Sequence, residues 1–264
     1  MKITKTKKFL MSICLMLTSM GNACDSPYSD FDLTSETPRA SLTATGTATG
    51  EVEVKASFQT NLGFVNESLS ASESLTAVVT PVVGSRMTQS LVDGGPSLIG
   101  PTYESEFAGN AKDTLVEITF DRSATEGVVA DRSETTLPSP FELDWVESLV
   151  TLEPVPLAFS RSSAEPRYVT WWPSSAPDFE KGDTLHYDVR GECIEQLEGE
   201  INWRKGKDAL SLTRVLRDRE DAPGDTCTIE VTITLRRRGV LDPYFSGGRF
   251  VGQQARSLYL LSRP

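Results

Sequence analysis

The strongest constraint in this sequence is a period of two in its hydrophobic residues, repeated in short segments along the chain. The clearest segments are 51–58, 116–120, 184–193 and 227–236, in which apolar and polar residues alternate. Such alternation puts the apolar side chains on one face of a β-strand and the polar side chains on the other. Residues that favour helices are sparse, and 141–150 is the one place where we expect a turn or two of helix.

Many short strands separated by turns rich in Gly, Pro and Asp predict an all-β fold of tandem Ig-like β-sandwich domains. The 264 residues are enough for one large β domain or two ordinary ones. Pro138 and Pro140 cannot lie in a central strand, so we expect a boundary there. We therefore predict an N-terminal sandwich over 41–137 and a C-terminal sandwich over 141–264. The alternative is one larger sandwich in which this segment crosses over.

The N-terminus has the three parts of an export signal. Residues 1–23 begin with four lysines and no acid, continue with an apolar run over 9–20, and end in small residues at Gly21 and Ala23. The apolar run is shorter than the roughly 20 residues that span a bilayer. We predict that 1–23 is a signal peptide and that the chain is exported.

The residue after the predicted cleavage site is Cys24. The junction resembles a bacterial lipoprotein signal, in which the first mature residue is a cysteine diacylated on sulfur, although Gly21 stands where that motif usually has Leu. The resemblance implies lipidation of Cys24 and attachment to a membrane of the cell envelope. The alternative is ordinary cleavage that leaves a free thiol. The following residues are rich in Ser, Thr, Asp, Glu and Pro, so 24–40 is predicted to be a flexible tether.

The net charge argues against one class of partner. The chain has 37 acidic and 26 basic residues and a formal charge of −11, which becomes −15 when cleavage removes four lysines. Binding to nucleic acid needs a cationic face for the phosphates. We therefore expect no nucleic-acid partner.

Two cysteines in the C-terminal half are predicted to form a disulfide. Cys193 ends the apolar set of one alternating segment and Cys227 begins that of another, so both point into the same interior. Disulfides persist in exported proteins. A redox-active role is disfavoured because there is no Cys-x-x-Cys pair and a buried thiol is inert.

The sequence contains no catalytic motif that we recognise. It has no nucleophile elbow, His-Glu-x-x-His, Walker loop or Gly-x-Gly-x-x-Gly, and its one histidine, His186, is on the polar side of its segment. We predict no catalytic residue, no cofactor and no metal site. Two acidic clusters would be the candidates for Ca²⁺ or for a pair of glycosidase carboxylates, but solvated loops are favoured. They comprise Glu192, Glu195, Glu198, Glu200 and Asp218, Glu220, Asp221, Asp225.

Two further groups of residues are candidates for a binding surface. Trp171 and Trp172, with Tyr168 nearby, form the main aromatic concentration. On a strand the two tryptophans face opposite sides, so one belongs to the core and the other is a candidate for stacking on a sugar or anchoring a protein, unless both are buried. The basic run 236–238 is expected to be a solvated strand end, with pairing to the acidic loops or docking of an acidic partner as alternatives.

Two segments are similar to exported bacterial lipoproteins of the proteobacterial and myxobacterial kind, a group that brings no activity with it. They are 135–141 and the C-terminal run from 227 to 243, followed by Ser246-Gly247-Gly248. The resemblance implies an envelope lipoprotein with a disulfide-bonded β-sandwich.

Together these features predict a lipid-anchored envelope protein, in the periplasm or at the cell surface. Its predicted role is binding or structural, and not catalytic. Its partners would be the membrane, through the lipid, and an envelope protein or a glycan. The alternative is a carbohydrate-binding module or glycan-active enzyme that uses an exposed tryptophan and the acidic loops.

Overall fold

The computed structural model describes the folded part of the chain with several gaps. The described residues are 37–59, 68–95, 100–146, 157–162, 167–173, 180, 182–201, 209–212, 216–217 and 224–264. Strands dominate them, and the one helix among them is the four-residue α1, Ser123–Glu126. The predicted all-β fold is confirmed.

The alternating segments form strands because a half-buried strand needs an apolar side chain at every second position. In chain order the strands are β1 Arg39–Gly46, β2 Glu51–Gln59, β3 Ser74–Thr80, β4 Met87–Ser90, β5 Val92–Asp93, β6 Tyr103–Ala108, β7 Leu115–Arg122, β8 Val128–Thr136, β9 Phe141–Val146, β10 Ala158–Ser160, β11 Tyr168–Pro173, β12 Thr184–Gly191, β13 Leu197–Ile201, β14 Ala209–Ser211, β15 Cys227–Arg238 and β16 Gly247–Arg263. The short helix expected in 141–150 is wrong, because 141–146 is strand β9; residues 147–150 lie outside the described residues.

Three sheets are built from these strands. The first, which we call the main sheet, has nine strands in the order β13-β12-β15-β16-β1-β2-β6-β5, with β10 beside the end of β16. The second has the order β4-β3-β7-β8, and the third has the order β14-β11-β9. Most neighbours in the main sheet are antiparallel, but β16 runs parallel to β1 and to β10.

The second sheet covers one end of the main sheet. Their apolar faces enclose a first core in which the rings of Phe58 and Phe120 stack with centroids 5.0 Å apart, and Phe245 lies 6.1 Å from Phe120. Arg122 and Glu73 are also buried there and form an ion pair of 2.6 Å, with the Tyr244 hydroxyl a further 2.6 Å hydrogen-bond partner of Arg122. A buried ion pair is tolerated only when its hydrogen bonds are satisfied.

The third sheet covers the other end of the main sheet and encloses a second core. Trp145, Val169 and Trp171 of the third sheet pack there with buried apolar residues of β12, β15 and β16. The longest strand, β16, contributes to both cores, since Phe250 lies in the first and Leu260 in the second. The predicted division at 138–140 stays a prediction: the two cores fall largely on either side of it, while the main sheet continues across it.

The two cores meet where β8 approaches β15 and β16. Glu134 forms an isolated β-bridge with Val240, and a side chain at Gly252 would place its Cβ 2.3 Å from the Thr136 carbonyl oxygen. Gln254, fully buried beside this contact, donates from Nε2 to the carbonyl oxygens of Asn110 and Pro138. Only a glycine at 252 allows the backbones to come this close.

Candidate binding face

One face of the main sheet is covered by the two smaller sheets, and its opposite face carries the polar residues of the alternating strands. We call the part of this polar face on β12, β15 and β16 the outer face. Its side chains include Thr184, His186, Asp188, Arg190, Glu230, Thr232, Thr234, Arg236, Arg249, Gln253, Ser257 and Tyr259. They point outward because the apolar residues at the intervening positions are buried in the second core.

The outer face contains a shallow depression of about 310 Å³. The residues that line it are polar or charged and come from two strands, β12 and β15: Asp188, Arg190, Glu230, Thr232, Thr234 and Arg236. An open polar surface of this kind presents charge and hydrogen-bond groups to a ligand without enclosing it.

At one end of the depression the charges are paired. Arg190 forms a two-point contact with Asp188, with 3.0 Å from Nε to Oδ1 and 2.5 Å from Nη2 to Oδ2. The Tyr259 hydroxyl donates to Glu230 Oε1 at 3.0 Å. The Asp188 contact raises the pKa of Arg190, and the Glu230 contact raises the pKa of Tyr259. This end of the face therefore has little charge available for a ligand.

At the other end the charges are not paired. We call Arg236, Arg249 and His186 the arginine patch. In the described part of the chain, neither Arg236 nor Arg249 makes an ion pair with a carboxylate. Arg236 is half-buried and lies opposite Gln253 of β16, and Arg249 is exposed on the same strand, four residues before Gln253.

The charge of Arg249 acts on both Arg236 and His186. Burial lowers the pKa of Arg236, and the positive charge of Arg249 lowers it further, while the carboxylate of Glu198 on β13 opposes both. Burial also lowers the pKa of His186, with Arg236 and Arg249 acting in the same direction and Glu200 of β13 opposing them. An arginine stays protonated despite such a shift, whereas a histidine titrates near neutral pH. The patch therefore carries two permanent charges and one that depends on pH.

Arg237, between two outward-facing residues of β15, points to the opposite side of the sheet. Its guanidinium makes two bonds to Asp183, of 3.0 and 3.1 Å, and contacts Asp113 at 2.9 Å and Glu180 at 3.1 Å. Burial opposes the charge of Arg237, but the hydrogen bonds and charge of Asp183 outweigh it and raise the pKa. The basic run 236–238 is thus divided between two surfaces, and the carboxylates that pair with Arg237 are Asp183, Asp113 and Glu180.

The predicted disulfide between Cys193 and Cys227 is confirmed. The guanidinium of Arg161 lies against it, donating from Nη1 to Cys193 Sγ at 3.2 Å and to Ser262 Oγ at 2.8 Å, and from Nη2 to the Asp225 carbonyl oxygen at 2.8 Å. The bond thus ties β12 and its following turn to the start of β15. Cys24 lies outside the described residues, so its lipidation stays a prediction.

The aromatic candidates do not lie on the outer face. Trp171 is 5 % exposed and belongs to the second core, and Tyr168 is half-buried where β11 pairs with β9 and β14. Trp172 lies opposite Glu142 of β9, and its side chain is outside the described residues. The proposed ligand surface at these residues stays a prediction, and it depends on Trp172.

The acidic candidates are partly described. Glu192, Glu195, Glu198 and Glu200 are exposed, on and before β13, whereas 218–223 lie outside the described residues. Within the described ranges, no group of three or more His, Cys, Asp or Glu side chains is placed to hold a metal ion. Nor does any helix in those ranges have the length and apolarity to cross a membrane.

Sequence reasoning missed Arg249, Gln253 and Tyr259 as members of the outer face. The clearest alternating segments end at residue 236, so the polar positions that follow Gly247 and Gly248 are not assigned to a strand from the sequence. The signal was present, because 249, 251, 253 and 255 alternate with the more deeply buried 250, 252 and 254. Extending the period of two back from the C-terminus finds it.

No family model and no curated protein matches this chain. Among solved structures, the FN1–FN3 domains of chicken CNTN1 align over 87 % of this chain and 68 % of theirs, at 9 % identity and a TM-score of 0.25. The Yersinia pseudotuberculosis adhesin InvE aligns over 86 % of this chain and 60 % of its own, at 10 % identity and a TM-score of 0.22, so this chain spans less than two thirds of the adhesin. The fold assignment therefore rests on the strands and sheets of the chain itself.

Proposed function

We propose that this protein is an exported, envelope-anchored binding module that presents the outer face of its main sheet to a ligand. The observation that carries the proposal of export is the disulfide between Cys193 and Cys227, since such bonds persist in oxidising compartments. The signal-like N-terminus over 1–23 supports the same location.

The anchor in this proposal is a lipid on Cys24. The first strand begins at Arg39, so residues 24–38 connect the anchor to the sheet. A chain of this length reaches at most about 50 Å when fully extended. The binding face would then act close to a membrane of the cell envelope.

A binding role is favoured over catalysis by the character of the outer face. The depression is open to solvent on one side, and its charged residues come from two neighbouring strands of the main sheet. The hydrogen-bond partner of the His186 ring is Thr184, at 3.1 Å from Nε2. Catalytic sites usually enclose the substrate and exclude water, which a flat sheet face does not do.

The alternative of a glycan-active module built on Trp171, Trp172 and the acidic clusters stays a prediction. Trp171 is buried, so of the two tryptophans only Trp172 remains a candidate for contact with a ligand. The remaining requirement is an exposed Trp172 beside a carboxylate.

The anchor is tested by comparing wild type with Cys24→Ser in the native host. We expect wild type to remain in the membrane fraction after a carbonate wash and to incorporate labelled palmitate. The variant should lose both properties and appear in the soluble envelope fraction or the medium. The same fractionation for both proteins, with no label in wild type, would refute the lipid anchor.

A further inference from the structure

We propose that the arginine patch of Arg236, Arg249 and His186 binds the sulfate or carboxylate groups of an anionic polysaccharide lying along the outer face. This inference rests on the proposed function and names the ligand class of the same face. Its basis is the unneutralised positive charge of the patch and the chemistry of the residues around it.

The first argument is that positive charge is left unpaired in an acidic protein. The chain has eleven more acidic than basic residues. Elsewhere in the described part, Arg86, Arg122, Arg190 and Arg237 pair with carboxylates, whereas Arg39, Arg132, Arg238, Arg256 and Arg263 form no ion pair with a described carboxylate. Arg236 and Arg249 instead point to the same face from β15 and β16, with Arg249 four residues along β16 from Gln253, the partner of Arg236, and the charge of Arg249 lowers the pKa of Arg236. An anion placed between them would relieve this repulsion, and a guanidinium binds sulfate and carboxylate groups through two parallel hydrogen bonds.

The second argument is the set of neutral polar groups beside the patch. The hydroxyls of Thr184 and Thr234 and the amide of Gln253 lie on the same face, on three adjacent strands. Gln253 Nε2 donates to Thr45 Oγ1 of β1 at 3.0 Å, which extends the polar row by another strand. Adjacent strands are about 4.8 Å apart, close to the length of one sugar residue. A sugar chain would find a donor or acceptor at each strand it crosses.

An aromatic ring is available at the far end of the same face. Tyr259 is 59 % exposed, and its hydroxyl is held by Glu230. A fixed, exposed ring offers a surface on which a pyranose can stack.

A protein partner fits the patch less well. The centre of a protein interface is apolar or aromatic and depleted of charged residues. The large apolar residues exposed in the described part lie outside the arginine patch; they are Val82, Val83, Val92, Val129, Leu157, Val240, Tyr259 and Leu261.

A flat anionic membrane also fits less well. Farther along the main sheet, the same polar face carries Glu53, Glu104 and Glu106 on β2 and β6. A bilayer that contacted the patch broadly would meet these carboxylates, and the net charge of −11 adds to the repulsion. A single polymer chain can contact the patch without covering them.

The experiment uses the full chain purified from the cell envelope or the medium in detergent, whichever contains it, and three polymers with one backbone: dextran, carboxymethyl-dextran and dextran sulfate. Binding is measured by calorimetry at about 50 mM salt, where attraction between exposed charges is only partly screened. We expect both charged polymers to bind and dextran to show no measurable heat. The double variant Arg236→Gln/Arg249→Gln should weaken binding at least about tenfold, because two guanidinium contacts are lost.

The matched control is Arg86→Gln/Arg132→Gln, which removes the same charge from two exposed arginines outside the outer face, one just before β4 and one on β8. It should weaken binding by less than about threefold, since long-range charge is largely screened. Equal weakening by both double variants would mean unspecific attraction and would overturn the site. Thermal unfolding of each variant verifies that it is folded.

The histidine gives a second readout. His186 is faced by Thr184 on its own strand, Glu200 on β13, Thr234 and Arg236 on β15, and Arg249 on β16. A bound sulfate favours the protonated ring, so affinity for dextran sulfate should rise as the pH falls from about 7.5 to 5.5, and His186→Gln should remove the rise. No pH dependence in wild type would remove His186 from the site.

Three results overturn the proposal as a whole: no binding of either charged polymer, equal binding of uncharged dextran, or binding to vesicles of phosphatidylglycerol in place of the polymers. Each of these three results tests only which class of ligand binds the outer face. Because the protein is assayed in detergent, these outcomes are independent of the palmitate and fractionation test of Cys24. The binding assay can therefore refute the anionic polysaccharide as the ligand without refuting the envelope anchor, and the test of Cys24 can do the reverse.

Discussion

Arg236 and Arg237 are neighbours in the chain and have opposite surroundings. Arg237 lies on the covered side of the main sheet and is held by Asp183, Asp113 and Glu180. Arg236 lies on the outer face, where the positive charge of Arg249 lowers its pKa and the carboxylate of Glu198 acts in the opposite direction. The same residue type thus stabilises the fold at one position and leaves its charge available to a ligand at the next. Strand geometry decides which, because successive side chains point to opposite faces.

The largest effect is expected from Arg237→Met. This change leaves Asp183, whose side chain is 1 % exposed, as a buried carboxylate without its main partner. Removing one member of a buried ion pair costs about 3–5 kcal/mol of unfolding free energy. Urea unfolding followed by tryptophan fluorescence measures it. The matched change Arg236→Met should cost less than about 1 kcal/mol, as is usual for surface substitutions; equal losses would contradict the contrast between the two positions.

A smaller effect is expected from Asp113→Asn. Asp113 contacts the same guanidinium as Asp183, but its side chain is 51 % exposed and screened by water. Exposed ion pairs contribute about 0–1 kcal/mol, so the loss in urea unfolding should lie in that range. A loss as large as that of Arg237→Met would mean that Asp113, and not Asp183, is the principal partner.

The stability of Arg236→Gln/Arg249→Gln should differ from wild type by less than about 0.5 kcal/mol. The variant loses no ion pair among the described residues, and it relieves the repulsion between two like charges. The same urea experiment checks it. A clear destabilisation would show that these arginines serve the fold, and it would weaken the assignment of the patch to ligand binding.

The smallest effect is the pH dependence that His186 adds to stability. Burial and the two arginines lower its pKa in the folded state below the usual 6.5. The folded protein then binds fewer protons than the unfolded chain, so this contribution is present above about pH 6.5 and is lost as the pH falls through the folded pKa. His186 is the one histidine of the chain, so its ring resonance in NMR is unambiguous. Its pKa should rise in Arg236→Gln/Arg249→Gln; no change would mean that burial alone lowers it.

The sequence was sufficient for the strands and the disulfide because both follow from local alternation. The apolar side chains at every second position around Phe58, Phe120 and Val231 are buried in the two cores, as predicted. The same pattern places Cys193 and Cys227 toward one interior, where they are joined. It was insufficient for 141–146, where a weaker alternation around Trp145 was interpreted as helical.

The candidate site was harder to predict because it depends on pairing between distant strands. Arg236 was noticed only as part of a basic run, and Arg249 was not noticed at all. Their proximity follows from the antiparallel register of β15 and β16, in which Arg236 lies opposite Gln253. No local pattern specifies that register. The same holds for Arg237, whose partners Asp113 and Asp183 are 124 and 54 residues away.

The pairing of β1 with β16 has a consequence for how such a chain would leave the cell. The main sheet joins residues 39–46 to 247–254, so it closes only after the last strand has arrived. If export begins at the N-terminus, both cores stay incomplete until β16 emerges. Phe250 completes the first core and Leu260 completes the second, and both lie on this strand. Contacts between residues so far apart in sequence form slowly, and incomplete β-structure tends to aggregate. An early membrane tether would keep the emerging copies apart during this interval, so the proposed lipid on Cys24 would serve folding as well as location.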